Sequence, residues 1–168
     1  MPFRFIAGPD DFLVQRKARE EWEALAREVS DPNSLEEVDG QAGNIDEVDK
    51  AVSQFVSAMQ TVSMFAPEKA IWFRNITFLA DTVTGRAKGT LEAVERLQDA
   101  LGNFDDPAVR ILLSASPVDR RKKGYKWFQS KGNSTFIEAG KDDSAVIGMI
   151  TEEAEAAGKT FSGNAALI

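Results

Sequence analysis

Five short apolar runs, each leading into a stretch with helical spacing, constrain this chain more than any other feature. The runs are Phe3 to Ala7, Leu35 to Val38, Ala70 to Ile76, Val109 to Leu113 and Thr135 to Glu138. Ala70-Ile-Trp-Phe is apolar without alternation, as in a strand covered on both faces. Between the runs, Val14, Ala18, Trp22, Leu25 and Val29 recur at spacings of three and four, one stripe of a helix capped by Asp10 or Asp11. Ser30-Asp31-Pro32-Asn33 ends that helix. Asp46 is expected to cap a second one, with Val48, Val52, Phe55, Val56 and Met59 on its inner face. Gly85 to Gly89 reads as a loop before a third helix, Thr90 to Leu101, with Leu91, Val94, Leu97 and Leu101 inward. A basic helix is expected from Arg120 to Lys131. Strand and helix alternate throughout, which predicts an α/β fold: a parallel sheet with helices on both faces.

After Glu138 the pattern changes. Gly140-Lys-Asp-Asp143 reads as a linker, and Ser144 to Ala157 as a helix stopped by Gly158. Ser162 would cap one more helix, yet Ala165-Ala-Leu-Ile168 falls in the middle of an apolar turn, where helices seldom stop. The reading is a fragment of a longer protein, cut inside a second domain.

Composition removes whole classes of chemistry. The 168 residues include no cysteine and no histidine. Serine–histidine and cysteine–histidine hydrolysis and thiolate or imidazole metal sites therefore lack their groups. No run approaches the roughly 20 apolar residues of a membrane span, and no signal segment opens the chain, so a cytoplasmic protein without a membrane partner is expected. Charge is uneven: residues 1–50 carry 13 acidic and 6 basic side chains, and residues 51–168 carry 14 of each. An acidic first third disfavours tight binding to duplex DNA. The one basic cluster, Arg120, Arg121, Lys122, Lys123 and Lys126, fits either a solvated surface or a contact to DNA or to a neighbouring subunit.

The turn after the first run, Ala7-Gly8-Pro9-Asp10, stands where nucleotide-binding folds place a phosphate loop. Such a loop needs a second glycine, a lysine and a hydroxyl. Leu13, Val14 and Gln15 occupy those places and supply none of them. The next strand of such a fold should end in metal-holding carboxylates. Here it ends in Arg74 and Asn75. Either Gly8 is an ordinary turn glycine, or the fold has kept its outline and lost its nucleotide. Both readings make ATP hydrolysis by this chain improbable.

A second stretch, Gln60-Thr-Val-Ser63-Met64-Phe65-Ala66-Pro67, closes the helix from Asp46. Neighbouring side chains on a helix point about 100° apart, so Met64 and Phe65 do not share one buried stripe. The pair either caps the core or serves as an anchor for a pocket on a partner.

With these residues in view, the chain resembles the N-terminal part of the delta subunit family of bacterial DNA polymerase III. The family's Gly-x-Asp-x-Phe-Leu turn is matched by Gly8, Asp10 or Asp11, Phe12 and Leu13. Its Ser-Leu-Phe-type motif is matched by Ser63-Met64-Phe65 with Gln60 upstream, and methionine replaces the usual leucine. Phe78-Leu79-Ala80-Asp81 matches an aspartate-bearing turn. Ile111 to Leu113, followed by Asp119, Arg121, Lys123, Tyr125 and Trp127, matches a strand, an Asp-x-Arg-x-Lys run and an aromatic helix.

The resemblance implies a non-catalytic clamp-loader subunit. Residues 1–139 would form an AAA+-like clamp-binding domain without a phosphate loop, and residues 140–168 the start of a helical lid-like domain. It implies no cofactor, no catalytic residue and no metal site. Met64 and Phe65 would enter a hydrophobic pocket of the ring-shaped sliding clamp, with Gln60 and Ser63 at the rim. The implied partners are the sliding clamp, the ATPase and delta-prime subunits, and primed DNA through the assembled complex. The alternatives are a degenerate nucleotide hydrolase and a nucleic-acid module using the basic residues 120–126.

Overall fold

The structure, a computed structural model, describes residues 3–61, 67–138 and 143–158. The chain divides into two compact units, Met1–Ile137 and Glu138–Ile168.

In the first unit the elements run β1 (Arg4–Ala7), α1 (Asp11–Glu28), β2 (Leu35–Asp39), α2 (Ile45–Gln60), β3 (Lys69–Ile76), α3 (Val83–Arg86), α4 (Lys88–Gly102), β4 (Val109–Ala115), α5 (Lys123–Lys131) and β5 (Asn133–Phe136). The strands form one sheet in the order β2-β3-β4-β1-β5, and every pair is parallel. The expected strand–helix alternation is realised. The sheet is doubly covered because each central strand sends alternate side chains to opposite faces. Ile71 and Phe73 of β3 join Phe5, Ile111 and Leu113 under α2, α4 and α5. Ala70 and Trp72 join Ile6 and Leu112 under α1.

Aromatic rings carry much of both layers. Phe55 of α2 stacks on Phe73 with centroids 4.6 Å apart, and Trp22 of α1 meets Trp72 at 5.8 Å. The Trp72 indole N–H donates to Ser114 Oγ at 3.0 Å, so its one polar atom is satisfied in the interior. Each such fully buried ring contributes about 2–3 kcal/mol of transfer free energy.

Helix boundaries required four corrections. Asn44, not Asp46, caps α2: its side-chain oxygen accepts from the Glu47 N–H at 2.9 Å, and Asp46 lies in the first turn of the helix. Gly85 and Gly89 lie in helices, because the Thr82 hydroxyl caps the single turn α3 and α4 follows at Lys88. Leu91 is half exposed, its place on the inner stripe taken by Thr90 and Ala93. The helix expected from Arg120 begins only at Lys123. Arg120 to Lys122 belong to the preceding turn, where Asp119 accepts from the Arg121 N–H.

In the second unit α6 spans Asp143–Ala156, and Gly158 follows with a φ of 70°, the left-handed conformation in which glycine ends helices. The expected cap Ser162 lies outside the described residues.

Candidate functional site

Two places in the fold carry the expectations drawn from the sequence: the turn entering α1 and the end of α2. Only Gly8, Pro9 and Asp10 separate β1 from α1. Gly8 is wedged in place, because a Cβ built there would collide with the Ile137 carbonyl oxygen and press on Val14. Its N–H donates to the Ala115 carbonyl at 3.3 Å. Asp10 then turns its carboxylate onto the helix, accepting from the Leu13 N–H at 3.0 Å. Asp11 adds a second acid in the first turn. The N–H groups and positive dipole end that would hold a phosphate are thus met by the chain's own anions.

The neighbouring strand end has been put to other use. Asn75, in the left-handed region at φ 56°, receives a hydrogen bond from Gln15 of α1. It donates to Asp39 of β2 at 3.3 Å. Asparagine tolerates that backbone better than most residues. Gln15, in the place of a metal-binding hydroxyl, is therefore a structural bridge. Among the described residues no group of carboxylates is arranged to hold a metal ion. The donor set does not fit a magnesium nucleotide.

The end of α2 is built differently. Lys69, the first residue of β3, is buried, and its ammonium donates to the carbonyls of Ala58 at 2.7 Å and Thr61 at 3.2 Å. Glu36 of β2 supplies the counter-charge at 2.8 Å. A cation on the last carbonyls satisfies groups that a helix end leaves orphaned and opposes its negative dipole. Thr61 is held further by its N–H and hydroxyl, both donating to Ser57 O. Gln60 is exposed on this braced end. Ser63, Met64 and Phe65 follow it and lie outside the described residues.

The basic cluster is not one surface. Arg120 places its guanidinium 4.4 Å from the centre of the Phe136 ring. Arg121 grips Asp119 with two bonds of 3.0 Å, holding that carboxyl well below its usual range, at about 2. Lys122 donates to the carbonyls of Ala80 at 2.6 Å and Gly85 at 2.8 Å, and burial lowers its pKa. Lys123 and Lys126 are exposed and have no such partner among the described residues. The consecutive charges looked alike in sequence, and the contacts that set Arg120 and Lys122 apart lie 16 to 42 positions away, which no local pattern carries. Lys69 was missed for a related reason. A single lysine before an apolar run reads as a strand's edge, and only the fold brings it under α2.

The sequence model of the family described as DNA polymerase III, delta subunit, matches residues 5–139. The chain belongs to that family. Among solved structures, it is similar to the Bacillus subtilis DNA clamp loader delta protein at 15% identity and a TM-score of 0.59. That match covers 99% of this chain and 46% of the other. A DNA polymerase III gamma subunit-related protein from Thermotoga maritima matches at 14% identity and a TM-score of 0.51, covering 95% of this chain and 50% of the other. At such identity the likeness is one of fold: a parallel sheet with helices on both faces. The chain spans about half the length of both. No curated protein matches the sequence at a significant level. No described helix is long and apolar enough to cross a membrane.

Proposed function

We propose that this chain is the clamp-contacting part of a cytoplasmic clamp-loader delta subunit, and that it acts by binding rather than catalysis. Met64 and Phe65 enter an apolar pocket on the sliding clamp, with Gln60 and Ser63 at its rim. The observation carrying this reading is the braced end of α2. Lys69 and Thr61 fix the helix terminus from which Ser63-Met64-Phe65 departs, so the contact energy is not spent on ordering its base. The domain opens the ring by differential affinity. A wedge that prefers the open clamp shifts the closed–open equilibrium by that preference and no more. ATP is used by sister subunits, the partners in the complex are the ATPase and delta-prime subunits, and primed DNA is met through the assembled complex.

The sealed start of α1 counts against a degenerate hydrolase. The dispersed cluster counts against a free-standing nucleic-acid module, since three of its five cations are engaged inside the chain. A sliding clamp from the same genome, labelled with a fluorophore pair across one subunit interface, tests the reading. The chain should raise the open fraction, and Met64→Ala with Phe65→Ala should not. Equal opening by the double variant, with its circular dichroism unchanged, would remove the wedge.

A further inference from the structure

Beyond the carboxyl ends of β3 and β4 the domain holds a cavity of about 580 Å³ that belongs to neither place described above. That size lies within the usual range of binding pockets, and the carboxyl edge of a parallel sheet is where such folds commonly receive ligands. Phe78, Leu79, Val94 and the half-exposed Leu91 line its apolar part. Val83, in the same single turn as two other lining residues, is 81% exposed, so the apolar surface continues outward.

The charged groups are strongly one-sided. Arg86, Lys122 and Lys123 line the cavity with one carboxylate, Glu95. Arg86 is paired with Asp81 at 3.2 Å, and Asp81 and Asp119 also attract Lys122. That leaves Lys123 and the remaining Lys122 N–H as the lining's unengaged cationic donors among the described residues. Lys122 is fixed with two of its three N–H donors on the Ala80 and Gly85 carbonyls, and the third has no partner among the described residues. Gly85 is needed for that arrangement, because a Cβ there would collide with Ala80 O and crowd the ammonium. The first turn of α5 opens on the same space at Gly124, and no side chain caps it. Cations, free helix N–H groups and an apolar floor meet in one recess.

We propose that this groove docks a segment of a partner protein in which a large apolar side chain lies beside carboxylates. The apolar side chain covers Leu79, Leu91 and Val94, and the carboxylates meet Lys122, Lys123 and the start of α5. None of the groove's lining residues belongs to the stretch Gln60 to Phe65, so the proposal stands or falls apart from clamp binding.

The test uses the full chain with two probes: a short helical peptide with a leucine stripe flanked by glutamates, and its twin with lysine at every glutamate. The glutamate peptide should shift the amide resonances of Gly85, Leu91 and Gly124 and bind at least about tenfold more tightly than its twin. Lys123→Glu should narrow or invert that preference, and Leu91→Asp should weaken the glutamate peptide by at least about tenfold. Met64→Ala with Phe65→Ala should leave it unchanged. Equal binding of the two peptides, no shift at those three amides, or loss of binding in the Met64/Phe65 variant would overturn the proposal. So would a concentration-dependent dimer that Leu91→Asp dissolves in sedimentation, since the occupant would then be a second copy.

Discussion

The start of α1 and the end of α2 are both helix termini beside the same sheet, and they are finished in opposite ways. At α1 the chain supplies its own anions, Asp10 and Asp11, and a glycine packed too tightly to admit a methyl group. At α2 a buried cation reaches across from β3 to hold two carbonyls, just before the residues proposed to meet a partner. On the proposed function, the first terminus is closed to ligands and the second is a mount. On that reading the sheet is kept while the working end lies at a different helix terminus.

Substitution at Gly8 should break the closed end most severely. Gly8→Ala must displace a backbone carbonyl, and a cost of about 3 kcal/mol is expected from overpacking of this kind, read as a lower urea midpoint with an unchanged slope. A variant as stable as the parent would mean that the turn is looser than described.

Lys69→Met tests the mount. The carbonyls of Ala58 and Thr61 lose their donor, which should cost about 2 kcal/mol. Glu36 is half exposed, and losing its pairing adds little. Clamp affinity should fall together with stability in this variant. It should stay level in Gly8→Ala at temperatures where both variants are folded.

Asp10→Ala sharpens the contrast at smaller magnitude. Loss of the cap should cost about 1 kcal/mol by thermal unfolding. Removing the carboxylate leaves Leu13, Val14 and Gln15 in place, so calorimetry should still find no magnesium-ATP binding.

The mildest effect concerns Asp119, away from both termini. Its folded pKa of about 2 lies below the ordinary 3.8, so its contribution is present above about pH 4 and is lost as pH falls through 2. Arg121→Gln should move the carboxyl's NMR titration midpoint back toward 3.8.

The strand–helix alternation and the two-sided core were readable in advance, because β3 and β4 are apolar on both faces and α1 shows an unbroken stripe from Val14 to Leu25. The missing phosphate loop was equally plain, since it depends on residue types within a few positions of Gly8. What escaped were features made by distant parts of the chain. Lys69 under α2, Asn75 bridging Gln15 to Asp39, and Lys122 between two carbonyls each need the folded sheet to become visible. Asn44 took the cap from Asp46 through a shift of two residues, a choice that local propensity leaves nearly even. The Met64–Phe65 pair was singled out by its adjacency and by its match to the family's Ser-Leu-Phe-type motif, and its test lies in solution.

Equilibrium binding of the chain to the sliding clamp, measured by calorimetry without nucleotide, addresses the central claim most directly. The account predicts saturable binding that magnesium-ATP does not alter and that Met64→Ala with Phe65→Ala weakens by about 4 kcal/mol, roughly two interface anchors. Binding that requires ATP, or that survives in the folded double variant, would contradict it.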